Sequence, residues 1–203
     1  MKITGKMDKF IRLQRTTYKD AETAAAYEKD IQKDFDSIKN FLPENCGKIL
    51  DIGCGIAGID LFLSRHYKGI PQIYLFDYDK IDEEIYYGYR KRGSVYNSLS
   101  DSMEFLAMNG VDKGKIEARN VEGGFRLDQY DVIISLISYG FHYPIETYLR
   151  EIKMCKAGIV ILDLRKKSKV LDKKTLQIDL LKNNFDSVEV IADYQKHERI
   201  LIK

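Results

Sequence analysis

The sequence predicts an α/β protein: a doubly wound, mostly parallel seven-stranded sheet with a C-terminal antiparallel hairpin and an N-terminal helical cap. Three observations predict it. Strand-like and helix-like segments alternate from residue 48 onward, as they do when helices cross over between parallel strands. The buried strand Lys48-Ile49-Leu50-Asp51-Ile52 runs straight into Gly53, Gly55 and Gly58 and then an apolar helix, the strand-turn-helix of an open α/β sheet. The last two strand-like segments, Ser187 to Ile191 and Ile200 to Ile202, are joined by too few residues for a crossover helix, so they pair as a hairpin.

The elements follow in order. Met1 to Arg15 alternates charged and apolar residues, and the first nineteen residues carry six basic groups against one acidic, a small basic arm. From Ala24, apolar residues recur at Tyr27, Ile31, Phe35, Ile38 and Leu42, one face of a long helix that Pro43 ends. Residues 1–47 are therefore expected to form the cap and 48–203 the sheet domain. After the first strand come a helix over Ile59 to His66, a strand over Ile73 to Phe76, a helix over Leu99 to Met108 and a strand over Lys115 to Ala118. A strand over Asp131 to Ile137, a helix over Ile145 to Ile152, a strand over Gly158 to Leu164 and a helix over Lys173 to Asn183 complete the alternation. The run Arg165-Lys166-Lys167-Ser168-Lys169 reads as a solvated loop.

Composition bounds the function. With 33 Lys+Arg against 31 Asp+Glu the net charge is +2, too small for a protein built mainly to grip a phosphate backbone, so nucleic acid is not the expected partner. No apolar run approaches the roughly 20 residues of a membrane-spanning helix, and the N-terminus lacks the apolar core of a secretory signal. Cys46, Cys54 and Cys155 are odd in number and lack metal-ligand spacing, which points to a reducing cytoplasm, no disulfide framework and no structural zinc.

The glycine turn carries the chemistry. Gly53, Gly55 and Gly58 also satisfy GxGxxG, so spacing by itself leaves a nicotinamide cofactor and any other adenosine-containing cofactor open. Asp77 ends the next strand, 19 residues after Gly58, where a carboxylate can accept hydrogen bonds from both hydroxyls of an adenosine ribose. Asp79 is expected to be more exposed. Asp51 lies two residues before the first glycine, where a dinucleotide fold normally carries an apolar residue.

The string ILDIGCGIAG, with the acid-ended strand at Asp77 and the terminal antiparallel strands, resembles class I S-adenosylmethionine-dependent methyltransferases over residues 48 to 203. The resemblance implies that Asp51 sits beneath the amino-acid end of S-adenosyl-L-methionine and that the turn at Gly53, Cys54 and Gly55 wraps its adenosine. It also implies that Asp77 holds the ribose with Tyr78 beside it, and that Asn120, followed by Val121, meets the adenine amine where the family more often has Asp. The Asn/Asp-Pro-Pro-aromatic motif of exocyclic-amine methylation is missing from Ser135 to Pro144, which argues against adenine N-methylation; a hydroxyl is the expected acceptor. Ser135 and Ser138 then line the cofactor. His142 is the natural base for the acceptor hydroxyl, although a histidine after this strand recurs in the family as a packing residue; Tyr139 is a second candidate.

Between Asp79 and Asn97, Tyr86, Tyr87, Tyr89 and Tyr96 are interspersed with Arg90, Lys91 and Arg92, a composition suited to a hydroxyl-rich or anionic small molecule and equally to tyrosines packed on the sheet. Ser-Tyr-Gly-Phe-His-Tyr-Pro with Tyr96-Asn97-Ser98-Leu99 resembles sugar O-methyltransferases associated with bacterial surface polysaccharides. Methyl transfer to a small polar acceptor is the expected activity. A nicotinamide oxidoreductase and a non-catalytic cofactor-binding module are the alternatives.

Overall fold

The computed structural model describes residues 1–14, 23–82, 96–166 and 174–203. Strands β1 (Lys48–Ile52), β2 (Gln72–Asp77), β3 (Ile116–Asn120), β4 (Val132–Ser135), β5 (Ile159–Arg165), β6 (Val188–Asp193) and β7 (His197–Ile202) form one sheet. Their spatial order is β3-β2-β1-β4-β5-β7-β6. All neighbours are parallel except β7, which runs antiparallel to β5 and to β6. The chain builds outward from β1 to β3 and then returns to the centre with β4. Between β1 and β4 the strand order reverses, the place where an open α/β sheet leaves a crevice at its carboxyl edge.

The central strands β1, β2, β4 and β5 are buried on both faces and read as mostly apolar runs. On one face Ile49, Leu75 and Ile134 pack with helices α1 (Gly5–Gln14), α2 (Thr23–Ile38), α3 (Gly58–His66) and α4 (Leu99–Met108). On the other, Leu50, Phe76 and Ile133 pack with α5 (Leu149–Cys155) and α6 (Lys174–Lys182). Ile133 and Ile134 are both 0% exposed, so each face of β4 gains roughly 1.5–3 kcal/mol from a single side chain.

The N-terminus departs from the expected basic arm. Residues Gly5–Gln14 form a helix that buries Met7, Phe10 and Ile11 in the same cluster as the sheet, while Lys6 reaches Asp101 of α4 at 2.8 Å. The predicted helix from Ala24 to Leu42 is α-helical only to Ile38 and then tightens into a 3-10 turn, Lys39–Phe41. The helix expected over Ile145 to Ile152 begins as a 3-10 turn, Ile145–Thr147, and α5 then runs on to Cys155.

Two charged residues disguised their surroundings. Arg199 is 0% exposed inside β7, which starts at His197 and not at Ile200. Arg165, expected in a solvated loop, ends β5; its Nε donates to the Phe141 carbonyl at 2.7 Å and its guanidinium lies 4.0 Å from the Phe141 ring centre. Lys166 pairs with Asp193. Lys167, Ser168 and Lys169 lie outside the described residues, as do Tyr86, Tyr87, Tyr89, Arg90, Lys91 and Arg92.

Candidate active site

A cleft with a cavity volume of about 270 Å³ opens at the carboxyl ends of β1, β2 and β4. Parallel register levels these ends: Asp51 stands beside Leu75 and Ile134, Ile52 beside Phe76, and Asp77 beside Asn120. The glycine turn forms the floor, the loop after β4 one wall, and α1 and α2 another through Gln14, Tyr27, Ile31 and Asp34.

The turn needs glycine because protein closes on it from two sides. Gly53 has φ +75°, and a Cβ there would sit 1.8 Å from Ser138 Oγ. Gly55 has φ +52°, and its Cβ would meet the Gln14 amide at 2.8 Å. The bare backbone therefore admits Gln14 and Ser138 directly, a role additional to the one expected for it, cofactor approach.

Asp77 is held in place by donors. Its Oδ2 accepts the Gly55 N–H at 2.9 Å and Asn97 Nδ2 at 3.0 Å, and its Oδ1 accepts the Tyr78 N–H at 2.7 Å. Burial nevertheless outweighs these bonds and raises its pKa to about 6. Asp51 is 3% exposed and meets Asp60 of α3, which is 0% exposed. Burial first, then the Asp60 charge, lifts Asp51 well above the usual carboxylate range, and burial lifts Asp60 to about 6. The Cys54 thiol beside them is pushed up by burial and by the charges of Asp77 and Asp51, so it stays protonated.

Of the other expected residues, Val121, Tyr78 and His142 line the cleft with Asp51, Gly53, Cys54, Gly55 and Asp77. Asn120, Ser135 and Tyr139 are placed differently. Asn120 Oδ1 caps the turn after β3 by accepting the Glu122 N–H at 3.0 Å. Ser135, 1% exposed, donates to the Ile52 carbonyl at 2.7 Å and accepts the Tyr139 N–H at 3.0 Å, tying β1 to the loop after β4. Tyr139 is 1% exposed, its hydroxyl donates to the Ile145 carbonyl, and burial raises its phenol well above the ordinary value. It packs behind the wall, so its placement gives it no path to an acceptor. Asp79, exposed as expected, accepts the Leu99 N–H at 2.9 Å and starts α4.

His142 is half-buried, its N–H donating to the Ser138 carbonyl at 2.8 Å, with Tyr143, Thr147 and Tyr148 on the same wall. Burial, and then Tyr148, keeps the Tyr143 phenol protonated, and Tyr148 is raised likewise, chiefly by burial. Ile137, also on this wall, has φ +55°, strain of order 1–3 kcal/mol for a β-branched residue, held by its N–H donating to Asp163 Oδ2 at 3.1 Å.

The sequence reading missed Gln14, Tyr27, Asp34, Asn97 and Asp60. The first three come from helices remote in the chain and carry no local signal. Asp60 had one: a carboxylate within the apolar Gly58-Ile59-Asp60-Leu61-Phe62-Leu63 run. Among the described residues no lysine or arginine lines the cleft, and Asp34, Asp51 and Asp77 do.

No family model and no curated protein matches the sequence. Solved structures do match the fold. A precorrin-6y C5,15-methyltransferase from Geobacter metallireducens GS-15 is 13% identical with a TM-score of 0.53, over 83% of this chain and 85% of that one. An rRNA methylase from Escherichia coli is 12% identical with a TM-score of 0.56, over 99% and 77%. The StiE O-MT is 11% identical with a TM-score of 0.58; 89% of this chain is covered, and it spans only 60% of that one. The likeness establishes the class I methyltransferase fold, with its seven-stranded mixed sheet and terminal antiparallel hairpin.

Proposed function

We propose that the protein is an S-adenosylmethionine-dependent methyltransferase acting on a hydroxyl of a small polar acceptor, a sugar or a related metabolite. The observation that carries this reading is the charge of the cleft. A glycine turn flanked by the carboxylates of buried Asp51 and half-buried Asp77, in a described wall without lysine or arginine, favours a ligand bearing positive charge. The diphosphate of a nicotinamide dinucleotide would face repulsion there, so the oxidoreductase alternative loses support.

The residues fit the cofactor. Asp77, at the end of β2 and already oriented by the Gly55 and Tyr78 N–H groups, would accept the ribose hydroxyls, one of them in place of the Asn97 amide. Asp51 would face the ammonium end, and Val121 would pack on the adenine. Bound there, S-adenosylmethionine would supply a methyl group activated by its sulfonium. The wall of His142, Tyr143, Thr147 and Tyr148 would hold the acceptor, the tyrosines stacking on the apolar faces of a sugar ring and donating to its oxygens. An imidazole nitrogen of His142 would take the hydroxyl proton, since the phenols of Tyr143 and Tyr148 stay protonated and cannot act as bases. Proximity would supply the larger share of the acceleration.

The same cleft chemistry and the net charge of +2 support a small molecule over rRNA as acceptor. Three buried free thiols, Cys46, Cys54 and Cys155, support a reducing cytoplasm. The test is a thermal-shift comparison of S-adenosylmethionine, S-adenosylhomocysteine, NAD and NADP, followed by labelled-methyl transfer to a panel of sugars and nucleotides. Stabilisation by the first two only, with label on a sugar, is the expected result; stabilisation by NAD would overturn the reading.

A further inference from the structure

Asp60 stands in the first turn of α3, 0% exposed, and apart from its own backbone N–H its carboxyl has the Asp51 carboxyl as its hydrogen-bonding neighbour. Asp51 comes against it from the end of β1 and itself lines the cleft. Two carboxylates in contact, one fully buried and the other 3% exposed at the cleft, strongly disfavour being ionised together. One proton held between them gives each an oxygen partner and leaves one negative charge. The N-terminus of α3 favours that charge on Asp60, which puts the proton on Asp51.

The surrounding groups do not relieve the pair. Asp77 on β2 adds repulsion, and the Cys54 thiol in the turn is neutral. On α2, Tyr27 is uncharged and Asp34 is engaged with Arg199; on α4, Asp101 is engaged with Lys6; His142 faces the cleft from the loop after β4. Among the described residues no group of three or more His, Cys, Asp or Glu side chains is placed to hold a metal ion.

We propose that Asp60 is a positioning residue for ligand binding: in the empty cleft it shares one proton with Asp51, and that proton leaves for solvent when a cationic group settles over Asp51. The balance is simple. The Asp51 O–H bond breaks, the proton passes to water, the pair goes from one negative charge to two, and the ligand's positive charge offsets the second. The release rests on the proposed S-adenosyl ligand; the shared proton in the empty cleft does not.

Two measurements test it, one without any ligand. Infrared spectroscopy of the ligand-free protein at pH 7 should show a protonated carboxylic acid band that is lost in Asp60→Asn, whose amide donates to an ionised Asp51. Absence of the band in the wild type overturns the shared proton. Calorimetry with S-adenosylhomocysteine, in buffers of different ionisation enthalpy, should find close to one proton released per ligand by the wild type and close to none by Asp60→Asn. Between pH 7 and pH 8.5, above the titration of Asp77 at about 6, wild-type Kd should fall by up to tenfold per pH unit until the pair is fully ionised, with no such slope in the variant. Binding with no proton released overturns the inference and leaves the proposed cofactor standing. A present band with no binding of S-adenosylhomocysteine overturns the cofactor reading and the release with it, and upholds the shared proton.

Discussion

Arg199 and Asp163 meet as a fork-to-fork ion pair, Nε to Oδ1 at 2.8 Å and Nη2 to Oδ2 at 2.9 Å, with both side chains 0% exposed. The pair reaches beyond its own strands. Arg199 also donates from Nη1 to Ser37 Oγ at 2.6 Å and from Nη2 to Asp34 Oδ1 at 3.0 Å, fastening α2 over the cleft, while Asp163 holds the strained Ile137.

Arg199→Leu should therefore lower stability by about 3–5 kcal/mol, because it takes both guanidinium bonds from Asp163 in the core and leaves it only the Ile137 N–H and His197, at 3.5 Å. Chemical denaturation measures it. The double variant Arg199→Leu/Asp163→Leu should lose less than the single one, an outcome that packing of the Arg199 stem alone would not produce.

Asp77 should weaken the fold that it equips for binding. Its pKa rises from 3.8 to about 6 on folding, so between those pH values the folded chain binds more protons than the unfolded chain. Stability on this account is fully present below pH 3.8 and is lost as pH rises through about 6. Asp77→Asn should remove that slope from the pH dependence of the ligand-free protein's melting temperature, while its amide NH2, facing an N–H donor, offsets part of any gain at pH 7. Asp77→Ala should weaken S-adenosylhomocysteine binding by ~1.5–3 kcal/mol, read by calorimetry.

Gly53→Ala should abolish the thermal shift given by S-adenosylhomocysteine, since its Cβ would lie 1.8 Å from Ser138 Oγ and force the wall of the cleft aside. Adding Ser138→Gly should restore part of that shift by removing the clash. Gly55→Ala should be milder, because its Cβ meets the end of the flexible Gln14 side chain. Equal loss in both single variants, unrelieved by Ser138→Gly, would contradict the steric account.

His142→Asn should leave cofactor affinity and melting temperature nearly unchanged while turnover falls by about 100-fold to 10,000-fold, the usual contribution of a general base. The wild-type rate should fall with pH as the imidazole takes up its proton and can no longer accept one. A packing histidine would instead lower stability by ~1 kcal/mol with a modest rate loss and an unchanged pH profile.

Much of this was legible locally. The strand at Lys48–Ile52, the glycines after it and the acid at Asp77 announce themselves through apolar runs, backbone freedom and strand-end position, all properties of neighbouring residues. The hairpin followed from loop length. Where β7 began, how α1 folded and what Arg165 touched were hidden, because a charged residue reads as exposed until its partners are known. Asp163 and Asp34, which let Arg199 be buried, lie 36 and 165 residues away.

Sequence by itself determined the sheet, the turn and the two acids, Asp51 and Asp77, because strand periodicity and turn chemistry act over a few residues. Tertiary structure alone decided that Gln14, Tyr27 and Asp34 wall the cleft, that Tyr139 is spent on the Ile145 carbonyl and that Asp60 meets Asp51. Those facts depend on which helices pack over which strand ends. The cores that set that packing are contacts between distant segments, and no local pattern encodes their geometry.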